Sequence, residues 1–344
     1  MSAAPGRPKQ ARTAAREGEG TPIPPRQHQQ GAAILLAMLT VTLVATVAAA
    51  ALWQQWRSLE VETAERTRVQ SGWVLTGALD WSRLVLREDS RTSSSSSADH
   101  LAEPWAVPLE EARLSTFLAA DRNNQANVDE LGEDAFLSGQ ITDLQSRLNV
   151  SNLIKEGAVA EAPLKRFAKL FELLNLPSSE LVRLSENLRF ASDFSAENKS
   201  GELAPLRPQR VEELVWLGLS PQSLAVLAPH ITLLPAASPI NVNTASAEVL
   251  CATIATLDLA AAKQLVALRE RSHFRSVAEV SAADSRFTPD PAVWGVTSKY
   301  FEVRGQLRIG QVTVNERSLV ERVGQPVGST KVHWRERLPT HSLQ

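Results

Sequence analysis

Apolar and polar positions divide this chain into unlike stretches. Residues 1–31 are mostly Ala, Pro, Gln, Gly and Arg, with almost no large apolar side chain. Such a segment cannot bury enough surface to offset its ordering entropy and is predicted to be disordered. The run from Ala32 to Trp53 is apolar and carries no charge. As a helix rising about 1.5 Å per residue it would reach roughly 33 Å, enough to cross a hydrocarbon core of about 30 Å. Trp53 and Trp56 stand where an aromatic belt would meet the far interface, with Arg57 just beyond.

The next stretch, "RSLEVETAERTRVQSGWVLTGALDWSRLVLRED", has no proline and no turn cluster. Glu62 with Arg66 and Glu65 with Arg68 fall on neighbouring turns and would support a solvated helix. Val74, Ala78, Trp81 and Val85 follow at spacings of four, three and four, which predicts one buried stripe, flanked by Leu75, Leu79 and Leu86. Gly72 and Gly77 weaken the pattern by about 1 kcal/mol each relative to alanine. One helix is therefore expected from about residue 32 to about 89, ended by the serine-rich loop "SRTSSSSSADH".

After the loop, "RLSTFLAAD" and "AFLSGQITDLQSRLNVSNL" read as short strands. From about 160 to 290 the period becomes helical, as in "APLKRFAKLFELLNLP", where Leu164, Phe167, Leu170, Phe171 and Leu174 share a face. Strands return in "SKYFEVRGQLRIGQVTVNERSLVERV" and "STKVHWRERL". The order of long helix, strands, helical block and strands predicts an α+β domain. Its sheet would pack on the exposed half of the first helix, and strands on either side of the helical block would pair with each other.

Charge changes this picture only at the N-terminus. Net charge is −2, from 36 basic and 38 acidic residues, so no global field steers the chain to nucleic acid. Arg7, Lys9, Arg12, Arg16 and Arg26 outnumber Glu17 and Glu19 ahead of the apolar run, which predicts a cytoplasmic N-terminus and a translocated remainder. The one cysteine, Cys251, allows no internal disulfide and reads as a small buried apolar residue. The six histidines are scattered, and no hydrolase, metallopeptidase or phosphate-loop motif occurs, so no enzyme activity is expected.

The first apolar run admits three readings. It is a plain anchor, or a secretory signal cut near Ala50, or a prepilin-type signal cut between Gly31 and Ala32. The apolar run exceeds the usual signal core of about 7–15 residues, and its helical continuation suits the third reading.

Four stretches carry a resemblance: "QQGAAILLAML", "SGQITDLQSRLNVSNL", "LAPHITLLPAASPINVNTASAEVLCA" and "SKYFEVRGQLRIG". With them the chain resembles the K-subunit (GspK) family of type II secretion systems, minor pseudopilins of the type IV pilin superfamily. The resemblance implies a pilin-like long N-terminal helix packed on an antiparallel sheet, with a large all-α insertion of helix-hairpin-helix or SAM-like type. It divides the chain into a leader (1–31), a transmembrane helix half (32–53), a periplasmic half (54–89) and the serine-rich loop (90–100). First strands (101–155), the helical insertion (156–292), closing strands (293–338) and a tail (339–344) follow.

It further implies that a prepilin peptidase cuts after Gly31 and methylates the amine of Ala32. Most pilins carry a glutamate five residues after the cut; here that place is Leu36. A carboxylate in lipid is expensive and is retained where it has a partner, in pilins the amine of the subunit added before. Leu36 has no such contact to make, while the subunit's Ala32 amine can still receive the next subunit's glutamate, which marks a filament tip. The implied partners are the I and J minor pseudopilins, the major pseudopilin, the prepilin peptidase and the inner-membrane assembly platform. The implied location is the bacterial inner membrane, crossed once, with the bulk periplasmic.

Two further sites follow from the resemblance. Relatives carry an acidic calcium loop in the helical domain; here Asp193, Glu197 and Glu202 are the candidate ligands, against the reading of a solvated acidic loop. Residues 240–280 also resemble helix-hairpin-helix modules of DNA-uptake proteins, whose glycine-bearing turn grips a phosphate. Here the turn Ala255-Thr256-Leu257-Asp258-Leu259 has no glycine and places a carboxylate where phosphate would sit. Nucleic acid is therefore not an expected partner, and a membrane-anchored uptake protein or a plain anchored domain remains the alternative.

Overall fold

The computed structural model describes residues 30–92, 98–119, 135–193, 203–288, 290–323 and 328–339. It falls into two units, residues 1–64 and 65–344. Helix α1, Gln30–Thr92, contains 63 residues and no proline. In the first unit its side chains are exposed throughout, and the hydroxyls of Thr40, Thr42 and Thr46 return to the carbonyls of Ala37, Leu39 and Leu43 at 2.8–2.9 Å. Those bonds satisfy the three hydroxyl donors of the apolar run internally, as a lipid-facing helix requires.

In the second unit the buried stripe of α1 is Ser71, Leu75, Leu79, Ser82 and Leu86. It lies one position away from the expected row: Val74, Ala78 and Val85 are half-buried, and Trp81 is 46% exposed. The reason is local. Ser71 and Ser82 donate to the carbonyls of Arg68 and Ala78 and so enter the interface without orphaned hydroxyls, which a purely apolar pattern does not register.

That stripe packs on a five-stranded antiparallel sheet. Its strands are β1 (Leu109–Arg113), β2 (Ala135–Asp143), β9 (Tyr300–Ile309), β10 (Val312–Val323) and β11 (Ser329–Leu338), in the order β1-β2-β9-β10-β11. Strands β2 and β9 flank the helical block and pair directly, with Gly139 opposite Gly305. The expected pairing across the block is thus present. Gly310 at φ 55° makes the tight turn between β9 and β10. One expectation fails: "RLSTFLAA" supplies only the last residue of β1, and Leu114–Ala119 forms a short helix, α2. Leu114 still reaches the core from it, so the apolar spacing is used, at helical rather than strand period.

The block between β2 and β9 contains α3 (Glu161–Leu173), α4 (Ser178–Ser192), α5 (Pro221–Leu227), α6 (Ala247–Thr253), α7 (Leu259–Arg271) and α8 (Val277–Ala283). Two-residue strand pairs stitch it: β3 (Leu148–Asn149) with β6 (Ile231–Thr232), β4 (Ile154–Lys155) with β5 (Ala158–Val159), and β7 (Ile240–Asn241) with β8 (Trp294–Gly295). "RVEELVWL" forms a 3-10 helix, Val211–Leu217, stopped by Gly218 at φ 104°. The block has its own core, from Leu148 and Phe167 through Leu250 and Leu265 to Trp294, separate from the smaller clusters between α1 and the sheet.

Candidate assembly site

The N-terminal turn of α1 holds the residues singled out for processing. Gly31, Ala32 and Leu36 are all exposed on the helix. A Cβ built on Gly31 would meet nothing within 4 Å, and its φ lies outside the left-handed region. Neither packing nor backbone geometry therefore calls for glycine there. Leu36 is 62% exposed among Ile34, Leu35, Met38 and Leu39, so the first turns present a continuous apolar surface with no acid. This helix is long and apolar enough to cross a membrane.

A second feature is the joint that ties the helical block to the sheet. Asp143 ends β2 and is buried. Its carboxylate accepts from the Gln145 N–H at 2.7 Å, Ser298 Oγ at 2.6 Å, Thr244 Oγ1 at 2.5 Å and Asn241 Nδ2 at 3.2 Å. Burial nevertheless pushes its pKa up to about 6. Asn241 also donates to the Asp99 carbonyl and to Ser298 Oγ, and its own carbonyl accepts from the Asn243 N–H. Asn243 in turn brackets the main chain of Phe274 with two bonds of 2.9 Å. The stretch "INVNT" is therefore a polar clamp inside an apolar core, and Ser246 caps the helix that follows by accepting from Val249 N–H.

The clamp continues into an acidic group at the end of α1. Arg322 on β10 bonds Asp99 and, at 2.5 Å, Asp89, while its guanidinium lies 4.4 Å from the Phe301 ring. Glu103 accepts from the Trp105 indole at 2.7 Å and from the His100 N–H at 2.9 Å. Burial raises the pKa of Glu103 to about 7, with Asp89 and Asp99 adding to the rise. Carboxylate oxygens of Asp89, Asp99 and Glu103 come within 4.8 Å of one another. The guanidinium of Arg322 balances two of them through its two terminal nitrogens, while its buried Nε has no hydrogen-bond partner among the described residues.

Of the calcium candidates, Asp193 is half-buried at the end of α4, where its N–H bonds the Phe190 carbonyl. Glu197 and Glu202 lie outside the described residues. In the hairpin of α6 and α7, Asp258 accepts from the Ala261 N–H at 2.7 Å, so the first turn of α7 is capped by the protein's own carboxylate. Lys263, Arg271 and Arg275 are exposed. Arg269 is not a solvated cation: it bonds the Val242 carbonyl at 2.6 Å, and burial lowers its pKa to about 10. Cys251 is buried, with burial pushing its thiol up.

Periodicity alone gives the polar residues of "INVNTASAEVL" and "SGQITDLQS" no task. The usable signal was Asn, Asn and Thr alternating with Ile and Val, since polar side chains at buried positions must find partners.

Two family models, each described as type II secretion system (T2SS), protein K, match residues 146–236 and 240–292. The type II secretion system protein K of Pseudomonas aeruginosa is 26% identical over 307 residues, covering 83% of this chain and 86% of the relative. That of Pectobacterium carotovorum is 26% identical over 334 residues, covering 88% and 95%. Among solved structures, one from the GspK–GspI–GspJ complex of enterotoxigenic Escherichia coli shares the fold, with a TM-score of 0.61 and 18% identity. It covers 80% of this chain and 99% of the solved one. The solved structure covers more of this chain than the helical block alone, and shows that the fold is shared. Across residues 146–292 the chain matches the type II secretion system protein K family, and its full-length relatives carry that same description.

Proposed function

We propose that this chain is a minor pseudopilin that occupies the tip of the pseudopilus and helps to start its assembly, working by packing rather than by chemistry. The observation that carries this reading is Leu36: an exposed leucine stands in the uncharged first stretch of α1, where pilins hold a glutamate. Once the leader is removed after Gly31, the new amine of Ala32 can accept a neighbour's carboxylate, but the subunit offers none in return. Such a subunit receives the next one and needs no predecessor. The helical block of roughly 130 residues agrees with this place, because it would collide with neighbours along a shaft and has free space at an end.

The I and J subunits are the proposed partners; the related Escherichia coli chain was solved in complex with subunits of those names. The small residues Ala45–Ala51 let neighbouring helices approach closely in lipid. The leader's positive charge supports an N-terminus on the cytoplasmic side and a periplasmic bulk. A bound calcium at the Asp193 loop is a further element of the proposal, tested by calcium titration of the full chain against its Asp193→Asn form.

The deciding experiment is the intact mass and N-terminal sequence of the mature protein from its native membranes, with co-isolation of the I and J subunits. A methylated Ala32 found together with those subunits supports the reading. A start near Leu52 means a secretory signal, and an intact Met1 a plain anchor; either removes it.

A further inference from the structure

Helix α3 sends one lysine into the hairpin of α6 and α7. The ammonium of Lys169 donates to three main-chain carbonyls: Ile254 at 2.6 Å, Ala255 at 3.1 Å and Leu257 at 2.7 Å. These are the C-terminal end of α6 and the turn that follows. An ammonium has three hydrogens, and each finds a different oxygen. Among the described residues no carboxylate lies within ion-pair distance of Lys169, so its charge is met by carbonyl dipoles, reinforced by the negative end of α6. The buried Cys251 thiol donates to the same Leu257 carbonyl at 3.2 Å, which holds that oxygen in place from the other side.

Convergent neutral carbonyls replace the hydration shell of a monovalent ion; divalent ions instead call for carboxylates. We propose that the carbonyls of Ile254, Ala255 and Leu257 form a seat for a monovalent cation of ammonium or potassium size, and that Lys169 fills it from within the chain. The hairpin is then closed without an ion from solution. The arrangement also fixes α3 to the hairpin, so that the hairpin's stability does not depend on which monovalent cation surrounds it.

The test uses the full chain in detergent, with thermal unfolding followed by tryptophan fluorescence. For Lys169→Met, which keeps the stem and removes the ammonium, the midpoint in choline or lithium chloride should fall by roughly 2–4 °C. Ammonium or potassium chloride at the same ionic strength should recover most of that loss, while the unaltered chain responds equally to all four salts. An equal response of Lys169→Met to the four salts overturns the proposal. Lys169→Arg keeps the charge and covers the case in which the Met form does not fold. A planar fork cannot present three hydrogens to three converging oxygens, so a clear loss of stability is expected. An unchanged midpoint for Lys169→Arg overturns the proposal as well.

Discussion

Asn241 and Asp143 stand on opposite sides of the joint between helical block and sheet, and their side chains meet at 3.2 Å in full burial. Asn241 is the only one of the two with hydrogens to give, and it spreads them over Asp143, Ser298 and the Asp99 carbonyl. Removing it with Asn241→Ala leaves several buried acceptors short of a donor, at about 1–3 kcal/mol for each group left unsatisfied. Asn241→Asp is expected to be worse, because it sets a second buried carboxylate against Asp143. Denaturant unfolding of the full chain in detergent checks both; an Asp form as stable as the Ala form contradicts the assignment.

Two glycines of α1 and the sheet should respond oppositely to alanine. A Cβ on Gly139 would lie 2.9 Å from the Arg304 carbonyl oxygen, a main-chain atom that cannot swing aside. Gly139→Ala therefore forces β2 and β9 apart and should destabilise by about 1–3 kcal/mol. Gly77 sits mid-helix with nothing within 4 Å, so Gly77→Ala should stabilise by up to about 1 kcal/mol. Unfolding midpoints of the two variants measured side by side decide the matter.

The contrast shows what the sequence made legible. The long helix, the helical block and the pairing of β2 with β9 follow from periodicity and element order, which report which face is apolar. Ser71 and Ser82 are invisible to that reading, because their burial depends on local carbonyl bonds. The clamp is invisible for a different reason. Asp99, Asp143, Asn241 and Ser298 are far apart along the chain and acquire meaning only when the sheet closes around the block. Lys169 likewise reads as one more polar position of an amphipathic helix until the hairpin's carbonyls are placed above it. For the candidate site, the processing reading of Gly31, Ala32 and Leu36 is a linear one, counted along one helix and independent of the tertiary fold.

Acidity should act through Glu103. Its pKa is raised from 4.5 to about 7, chiefly by burial, so the folded state holds the proton more tightly than the unfolded chain does. The stabilising share of that group is complete below about 4.5 and is lost as pH rises through about 7. Asp143, raised to about 6, acts in the same direction. His100 acts in the opposite one: burial lowers its pKa, so its share is present above 6.5 and is lost as pH falls through the folded value. Glu103→Gln removes one titration and leaves the others. The difference in unfolding midpoint between it and the unaltered chain should therefore change steadily between about pH 4.5 and 7 and be flat below that window. A difference that is constant across the window contradicts the protonation assigned to Glu103.

Gly31 offers the cleanest separation of processing from folding. The helix already contains residue 31, and a side chain there meets nothing. Leucine is moreover a better helix former than glycine by up to about 1 kcal/mol. Gly31→Leu should consequently leave membrane insertion and thermal unfolding unchanged. If the peptidase reads Gly31, the variant keeps its 31-residue leader, visible as a higher intact mass, and the amine that should meet a neighbour's glutamate stays buried in the middle of a chain. The I and J subunits should then fail to co-isolate with it, although the folded part is intact. Normal trimming of Gly31→Leu, or full assembly of the untrimmed chain, would separate the tip role from the new N-terminus and leave Leu36 an ordinary lipid-facing side chain.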